Sequence, residues 1–113
     1  MPAAPELQHP DIADVALTDV LFALSDPARL DLARQLVDGP MDMADCSAPG
    51  GPVPKATKSH QLKVLREAGI VRNVPKGRGR LLSLRRDELD AVFPGLLLSV
   101  LGAAPSSPRD AGE

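Results

Sequence analysis

Apolar residues recur with the period of an α-helix in the first third of the chain. One stripe with spacings of three and four residues predicts a helix over residues 11–24. Its members are Leu17, Val20, Leu21 and Leu24. A second helix is predicted over about 27–37, because Asp26 can cap its first turn and Pro27 suits a position that needs no backbone donor.

The middle of the chain combines turn residues with one longer helical pattern. Residues 41–46 predict a turn or two of helix, and 47–54 predict a turn because they hold three prolines and two glycines. A further helix is predicted over 54–68. Its first two turns are polar and basic, whereas Leu62 and Leu65 follow later, so one end is suited to solvent and the other to a core.

The last third predicts a hairpin and a final helix. Residues 70–74 and 80–84 are expected to be strands joined by a glycine-rich turn. The final helix is predicted to start near Asp87 and to continue its apolar face to residue 101. Pro94 and Gly95 interrupt it, and the pattern leaves open whether they bend one helix or separate two.

The order of these elements is α-α-α-α-β-β-α. It predicts a mainly α protein with a small β-hairpin, a winged helix-turn-helix, in which the third and fourth helices form the DNA-reading pair and the hairpin is the wing. We expect one domain over 11–101 between flexible tails, 1–10 and 102–113. About 90 residues make a small core, for which a dimer would help.

Charge is distributed unevenly along the chain. The formal net charge is −2, but residues 55–86 carry +9 between an N-terminal segment of −7 and a C-terminal segment of −4. A local basic surface of this kind is what phosphate binding requires, whatever the total. The alternative is a solvated basic face with no partner.

Composition excludes several classes of protein. No apolar run approaches 18 residues and the first ten lack a secretory pattern, so a membrane span is not expected and a cytoplasmic location is the default. The single Cys46 cannot form an intrachain disulfide, and only His9 and His60 supply imidazoles. We therefore expect no enzyme, no metal site and no cofactor. Aromatic residues are 2%, too few for base-stacking RNA modules.

Two segments resemble a known family. Residues 24–30 read Leu-Ser-Asp-Pro-Ala-Arg-Leu, and residues 59–71 read Ser-His-Gln-Leu-Lys-Val-Leu-Arg-Glu-Ala-Gly-Ile-Val, followed by the basic hairpin. Together they resemble the ArsR/SmtB family of bacterial transcriptional repressors over about residues 15–100. The resemblance implies a homodimer that pairs through its first and last helices, binds a near-palindromic operator and leaves DNA when an inducer binds.

The sequence departs from the family's metal-sensing members. The short third helix of those members carries Cys-x-Cys, whereas residues 41–46 here hold one thiol, Cys46. The last helix carries acids but no histidine. Gln61 replaces a common histidine, and Lys58 stands where an apolar residue is frequent. These departures predict no metal site of the usual kind and leave the inducer, a small molecule or none, unidentified.

The recognition helix and the wing supply the predicted DNA contacts. Glutamine can pair with adenine, lysine can reach guanine, and arginines on a wing suit the narrow minor groove or its phosphates. The predicted DNA-binding residues are Lys55, Thr57, Lys58, Ser59, His60 and Gln61 on the helix, and Lys76, Arg78 and Arg80 in the wing. For any single residue the alternative is an exposed position without a contact.

The dimer hypothesis uses the apolar stripes of the first and last helices. The predicted interface residues are Leu17, Val20, Leu21, Leu24, Leu89, Phe93, Leu97 and Leu101. The alternative for each is burial inside its own chain. Two other functions remain open at this point: a winged-helix module that binds protein, and a metal or thiol sensor at Cys46. A lone cysteine in an apolar stretch is usually a small buried side chain, and Asp42 and Asp45 would raise its pKa.

Overall fold

The computed structural model describes residues 6–46 and 54–102. Within these residues it contains five α-helices and a three-stranded antiparallel sheet, and the winged helix-turn-helix prediction is confirmed. The helices are α1 Leu17–Leu24, α2 Pro27–Gln35, α3 Lys55–Glu67, α4 Arg86–Val92 and α5 Leu96–Leu101. The strands are β1 Met41–Asp42, β2 Val71–Lys76 and β3 Gly79–Leu84, in the order β1-β3-β2.

Helix α1 is shorter than the pattern over residues 11–24 predicts. A separate 3-10 turn, Ile12–Asp14, is capped by the Asp11 side chain, which accepts from the backbone N–H of Ala13 at 3.1 Å. Val15 and Ala16 are then extended, so the α-helix begins only at Leu17. The hydrogen bond of the Asp11 side chain to the backbone competes with an α-helix at this point. The spacing of the apolar residues does not reveal this competition.

Helix α2 begins as predicted. The Asp26 carboxylate accepts from the backbone N–H groups of Ala28 and Arg29 at 3.0 and 3.1 Å, and Pro27 occupies the first helical position. Because the first amides of a helix have no partner inside it, this cap fixes where α2 starts and how it follows α1. The helix ends at Gln35, two residues before the predicted end.

The segment 41–46 contains a strand that the sequence did not predict. Met41 and Asp42 pair with Leu82 and Leu81 of β3, and a 3-10 turn, Met43–Asp45, follows. The predicted turn over 47–54 lies outside the described residues except for Pro54, which stands just before the first residue of α3.

Two residues after the end of α3, Gly69 adopts a backbone conformation that favours glycine. Gly69 has φ +86°, and a Cβ built there would lie 2.4 Å from Cγ2 of Val15. Both the left-handed backbone and the close approach exclude a side chain. The apolar side of α3 packs in the core, where Leu62 and Leu65 are buried.

The wing is the β2–β3 hairpin with its two-residue turn, Gly77 and Arg78. Its strands are longer than predicted, because Pro75 and Lys76 pair with Arg80 and Gly79 instead of forming a flexible turn. Gly77 has φ +59°, which suits the tight turns that join antiparallel strands.

The final helical segment is two helices. Gly95 has φ +77° and its N–H donates to the Asp90 side chain at 3.1 Å, so Pro94 and Gly95 separate α4 from α5. The core contains buried side chains from all five helices, from β2 and β3, and from Cys46. Its largest fully buried side chains are Leu62, Leu65, Ile70, Leu82, Leu89, Val20 and Val71. In the described part of the chain, no helix has the length and hydropathy to cross a membrane.

Candidate nucleic-acid interface

The first two turns of α3 project from the domain. Lys55, Thr57, Ser59 and His60 are exposed, whereas Leu62 and Leu65 are buried in the second half of the helix. The change from polar to apolar positions along the helix therefore leaves one end free to approach a partner while the other end docks on the core. This is the division that the sequence predicted for the recognition helix.

A groove of about 550 Å³ separates this helix end from the wing. Its lining carries four cationic side chains from two elements, so the groove concentrates positive charge between walls of low polarity. The lining residues are Met43, Ala44, Lys55, Lys58, Ser59, Arg78, Gly79 and Arg80. Five of the residues predicted to bind DNA therefore lie on one surface.

The wing residues differ in how they are held. Arg78 lies exposed at the tip, next to Gly77. Arg80 is half-buried and its Nε donates to Oδ1 of Asn73 at 2.5 Å, which fixes the side chain across the hairpin. Lys76 lies 3.7 Å from an Asp42 oxygen, but both side chains are exposed, so this ion pair is weak.

Lys58 is tied to the chain that precedes α3. Its Nζ donates to the carbonyl oxygen of Cys46 at 2.7 Å. The side chain still lines the groove, and it also ties α3 to Cys46, the residue that follows the 3-10 turn. In the family that the sequence resembles, an apolar residue is frequent at this position. Lys58 thus has a local structural role here.

Gln61 lies at the edge of the exposed face. Its Oε1 accepts from Nη1 of Arg29 at 2.9 Å, and its Nε2 donates to the Asp26 carboxylate at 3.5 Å. The sequence placed Gln61 among the base-reading residues. In the structure the two polar ends of its amide contact α2 and the residue that caps it.

Part of the basic segment serves the domain itself. Arg72 and Arg85 both bond Glu88, at 2.6 and 2.8 Å, and Arg85 also donates to the carbonyl oxygen of Pro10 at 2.7 Å. A hydrogen bond from Arg85, supported by the charges of Arg85 and Arg72, lowers the pKa of Glu88 although burial opposes it. Both arginines belong to the +9 charge of residues 55–86, but in the structure they serve contacts within the domain.

The N-terminal strap, defined as Gln8, His9 and Pro10, lies against the domain although the sequence places it in a flexible tail. The Gln8 carbonyl accepts from Arg66, and Nε2 of His9 accepts from the backbone N–H of Asn73 at 3.0 Å. The sequence carries no signal for these contacts, because a single histidine among prolines has no periodicity to interpret.

The predicted dimer residues fall into two groups. Five are already buried within the single chain: Val20, Leu24, Leu89, Leu97 and Leu101. Leu17 and Leu21 are 43% and 45% exposed on α1, and Phe93 is half-buried. Three exposed apolar side chains were not predicted for the interface: Phe22 at 65% on α1, Val92 at 39% on α4 and Leu98 at 46% on α5.

Cys46 is buried, with 5% of its surface exposed, as the sequence predicted. Burial raises the pKa of its thiol, Asp45 raises it further, and Lys58 opposes both. A thiol held in its neutral form is a poor nucleophile and a poor metal ligand. Across residues 6–46 and 54–102, no three His, Cys, Asp or Glu side chains are close enough to hold a metal ion.

Fold and interface together define a helix-turn-helix transcriptional regulator of the winged type. A family model described as the bacterial regulatory protein arsR family matches residues 26–73, from the cap of α2 into β2. The chain is 40% identical over 83 residues to the HTH-type transcriptional regulator NmtR of Mycobacterium tuberculosis, covering 74% of this chain and 66% of that protein. It is 33% identical over 86 residues to the uncharacterized HTH-type transcriptional regulator YceK of Bacillus subtilis, covering 74% of this chain and 85% of that protein. The chain belongs to the arsR family.

Proposed function

We propose that the protein is a homodimeric transcriptional repressor that binds a near-palindromic operator in double-stranded DNA. The observation that carries this proposal is the basic groove between the exposed end of α3 and the wing. Cations from two separate elements converge there, although the chain as a whole is slightly acidic. Such convergence favours a phosphate-bearing partner over a solvated face.

Each element has a role in this proposal. The first two turns of α3 enter the major groove, where Lys55, Thr57, Ser59 and His60 reach base edges or phosphates. The wing lies over the adjacent backbone, where Arg78 contacts the narrow minor groove or its phosphates and Arg80 and Lys76 add nearby charge. Lys58 lines the groove between them.

A second copy of the chain supplies the second half-site. A twofold dimer separates its recognition helices by about 34 Å, one turn of DNA. Leu17 and Leu21 are the predicted interface residues that a single chain leaves exposed, one helical turn apart on α1. Because each leucine is already more than half buried, covering the rest contributes about 1 kcal/mol each. Leu98 extends the proposed interface on α5.

Fluorescence anisotropy tests the DNA proposal. The probe is a labelled duplex from upstream of the protein's own gene, compared with a scrambled duplex from low to moderate salt. We expect preferential binding to the first duplex. With roughly six phosphate contacts per dimer, the slope of log K against log salt concentration should be about −5. The same signal then screens metals, oxidants and metabolites for release.

Equal or absent binding to both duplexes, at every salt concentration, would contradict the DNA proposal for that site. The result would favour the alternative of a winged-helix module that binds protein. A pull-down with the purified chain would then be the next experiment. The sensor alternative is tested separately by Cys46→Ser, which on that hypothesis preserves DNA binding and abolishes release.

Sedimentation equilibrium tests the dimer. We expect a dimer for the natural chain at micromolar concentration and a monomer for Leu21→Glu, because the exposed leucine is replaced by a charge. Thr18→Glu is the matched control, since Thr18 is exposed on the same helix and is not among the predicted interface residues. A monomeric natural chain, or equal dissociation of both variants, would contradict the proposed interface.

A further inference from the structure

We infer that Gln61 positions the recognition helix through the buried guanidinium of Arg29 and does not read a base. The inference rests on the proposed function, because it assigns a role within the proposed DNA interface. The inference changes the expected DNA-sequence specificity, since Gln61, the one glutamine on α3, no longer belongs to the residues that recognise bases.

Arg29 is fixed before it meets α3. The residue lies on α2 with 9% of its surface exposed. Its Nε donates to the Ala23 carbonyl at 2.7 Å and its Nη2 to the Phe22 carbonyl at 3.4 Å, both at the end of α1. A cation is favoured there because the last carbonyls of a helix lack partners. The guanidinium also lies 5.3 Å from the centroid of the Phe22 ring, within the range of a cation–π contact.

Gln61 is the acceptor that brings this guanidinium to α3. Nη1 of Arg29 donates to Oε1 of Gln61 at 2.9 Å. The other end of the amide, Nε2, donates to the Asp26 carboxylate, which already accepts two backbone amides of α2. Three elements, α1, α2 and α3, therefore meet at one hydrogen-bonded cluster.

Base reading and this cluster compete for the orientation of one amide group, because the partners of Gln61 lie on α2 and at its cap. To pair with adenine, a glutamine must accept through its amide oxygen and donate through its amide nitrogen at once. Both atoms of Gln61 already have partners. Releasing them would leave one donor of the buried Arg29 guanidinium without its acceptor, and an unsatisfied buried charged donor is strongly unfavourable.

The position of Gln61 suits control of helix rotation. The residue lies between exposed His60 and buried Leu62, at the border of the two faces of α3. Apolar contacts are non-directional and tolerate a small rotation, whereas a hydrogen bond weakens steeply as its angle departs from linear. The Arg29–Gln61 bond therefore selects one rotation of α3 and with it the direction in which His60 and Thr57 project.

Selection from a random-sequence duplex library separates the two roles. The natural chain and Gln61→Met are each used to select DNA, well below their melting temperatures, and the enriched sequences and affinities are compared. His60→Met is the matched control, because it makes the same substitution at the neighbouring exposed position. We expect Gln61→Met to recover the same consensus with about tenfold weaker binding, as loss of a hydrogen bond to a charged group predicts.

Three results would overturn the inference. One is a consensus from Gln61→Met that loses an A·T preference at one position in each half-site, since that is the signature of direct reading. Another is unchanged affinity and consensus with only a lower melting temperature, which would make the bond merely stabilising. Failure of the natural chain to enrich any sequence would instead refute the proposed function, and the inference with it.

A double-mutant cycle tests that Gln61 acts through Arg29. Arg29→Met, Gln61→Met and the double variant are compared for affinity to the selected duplex, with folding verified by circular dichroism. If the two residues act as one unit, the double variant binds no more weakly than Arg29→Met alone. Additive losses would overturn the inference. Should Arg29→Met fail to fold, Arg29→Lys keeps the charge and supports the same comparison.

Discussion

The imidazole Nε2 of His9 accepts a hydrogen bond of 3.0 Å from the backbone N–H of Asn73. The Asn73 side chain in turn accepts from Arg80 on the other strand of the wing. An imidazole nitrogen accepts only when it carries no proton, so the bond requires neutral His9. The N-terminal strap and the wing are thereby joined through an imidazole whose charge depends on pH.

Stability should depend on the protonation of His9. Burial, followed by the positive charges of Arg66, Arg72 and Arg85, lowers the pKa of His9 below its ordinary 6.5. The unfolded chain then binds more protons than the folded chain between these two pKa values, so stability falls as the pH decreases from 6.5 toward the lowered value. Urea unfolding at pH 7.5, 6.5 and 5.5 measures this loss.

His9→Gln removes the titrating group while keeping a side-chain acceptor. We expect the stability of this variant to change less between pH 7.5 and 5.5 than that of the natural chain. Equal slopes for both proteins would show that His9 does not contribute and would contradict the linkage.

Gly69→Ala should destabilise the protein by about 2–4 kcal/mol. The left-handed backbone costs a non-glycine residue about 1–2 kcal/mol, and the contact with Val15 adds an overpacking penalty. Gly77→Ala is the control, because Gly77 also has positive φ but its Cβ would meet nothing within 4 Å. Urea denaturation should find the control about 1–2 kcal/mol less stable than the natural chain. Similar losses for both would exclude the close approach as a cause.

Glu88→Gln should destabilise the protein by about 1–2 kcal/mol at pH 7, because buried Arg85 loses its charged partner. The lowered pKa of Glu88 means that its contribution is present above its ordinary value of 4.5 and disappears as the pH falls through the folded value. The difference from the natural chain should therefore shrink as the pH is lowered below 4.5. Asp87→Asn, an exposed neighbour, should change stability by less than about 0.5 kcal/mol.

Cys46 should react slowly with a disulfide reagent such as Ellman's reagent. Its side chain is buried and burial raises the pKa of the thiol, so little thiolate is accessible in the folded protein. Full reaction in concentrated urea is the control. Rapid reaction of the folded protein would return the thiol-sensor alternative to consideration.

The sequence predicted the recognition helix and the wing because both have strong local signals. Helix α3 changes from polar to leucine-rich along its length, and the hairpin has glycines where a tight turn needs them. The cap of α2 by Asp26 was predicted for the same reason, since capping is decided by neighbouring residues.

The parts that were missed depend on distant contacts. Strand β1 has two residues and exists because it pairs with β3 about 40 positions later, so no periodicity can reveal it. The Arg29–Gln61 bond joins residues 32 positions apart. Gln61 has a residue type that reads bases, and only its partner in space distinguishes that role from a positioning role.

A comparison of two single variants, each of which removes one arginine, tests the proposed interface most directly. Arg78 lies at the wing tip, whereas Arg86, the first residue of α4, lies eight positions later, beyond the far end of the six-residue strand β3, which is about 20 Å long. Both are exposed and both belong to the basic segment. We expect Arg78→Ala to weaken binding to operator and scrambled duplexes alike and to reduce the salt slope of the dimer by about 2. Arg86→Ala should keep the natural slope and affinity. Equal effects of the two variants would contradict the placement of DNA against α3 and the wing.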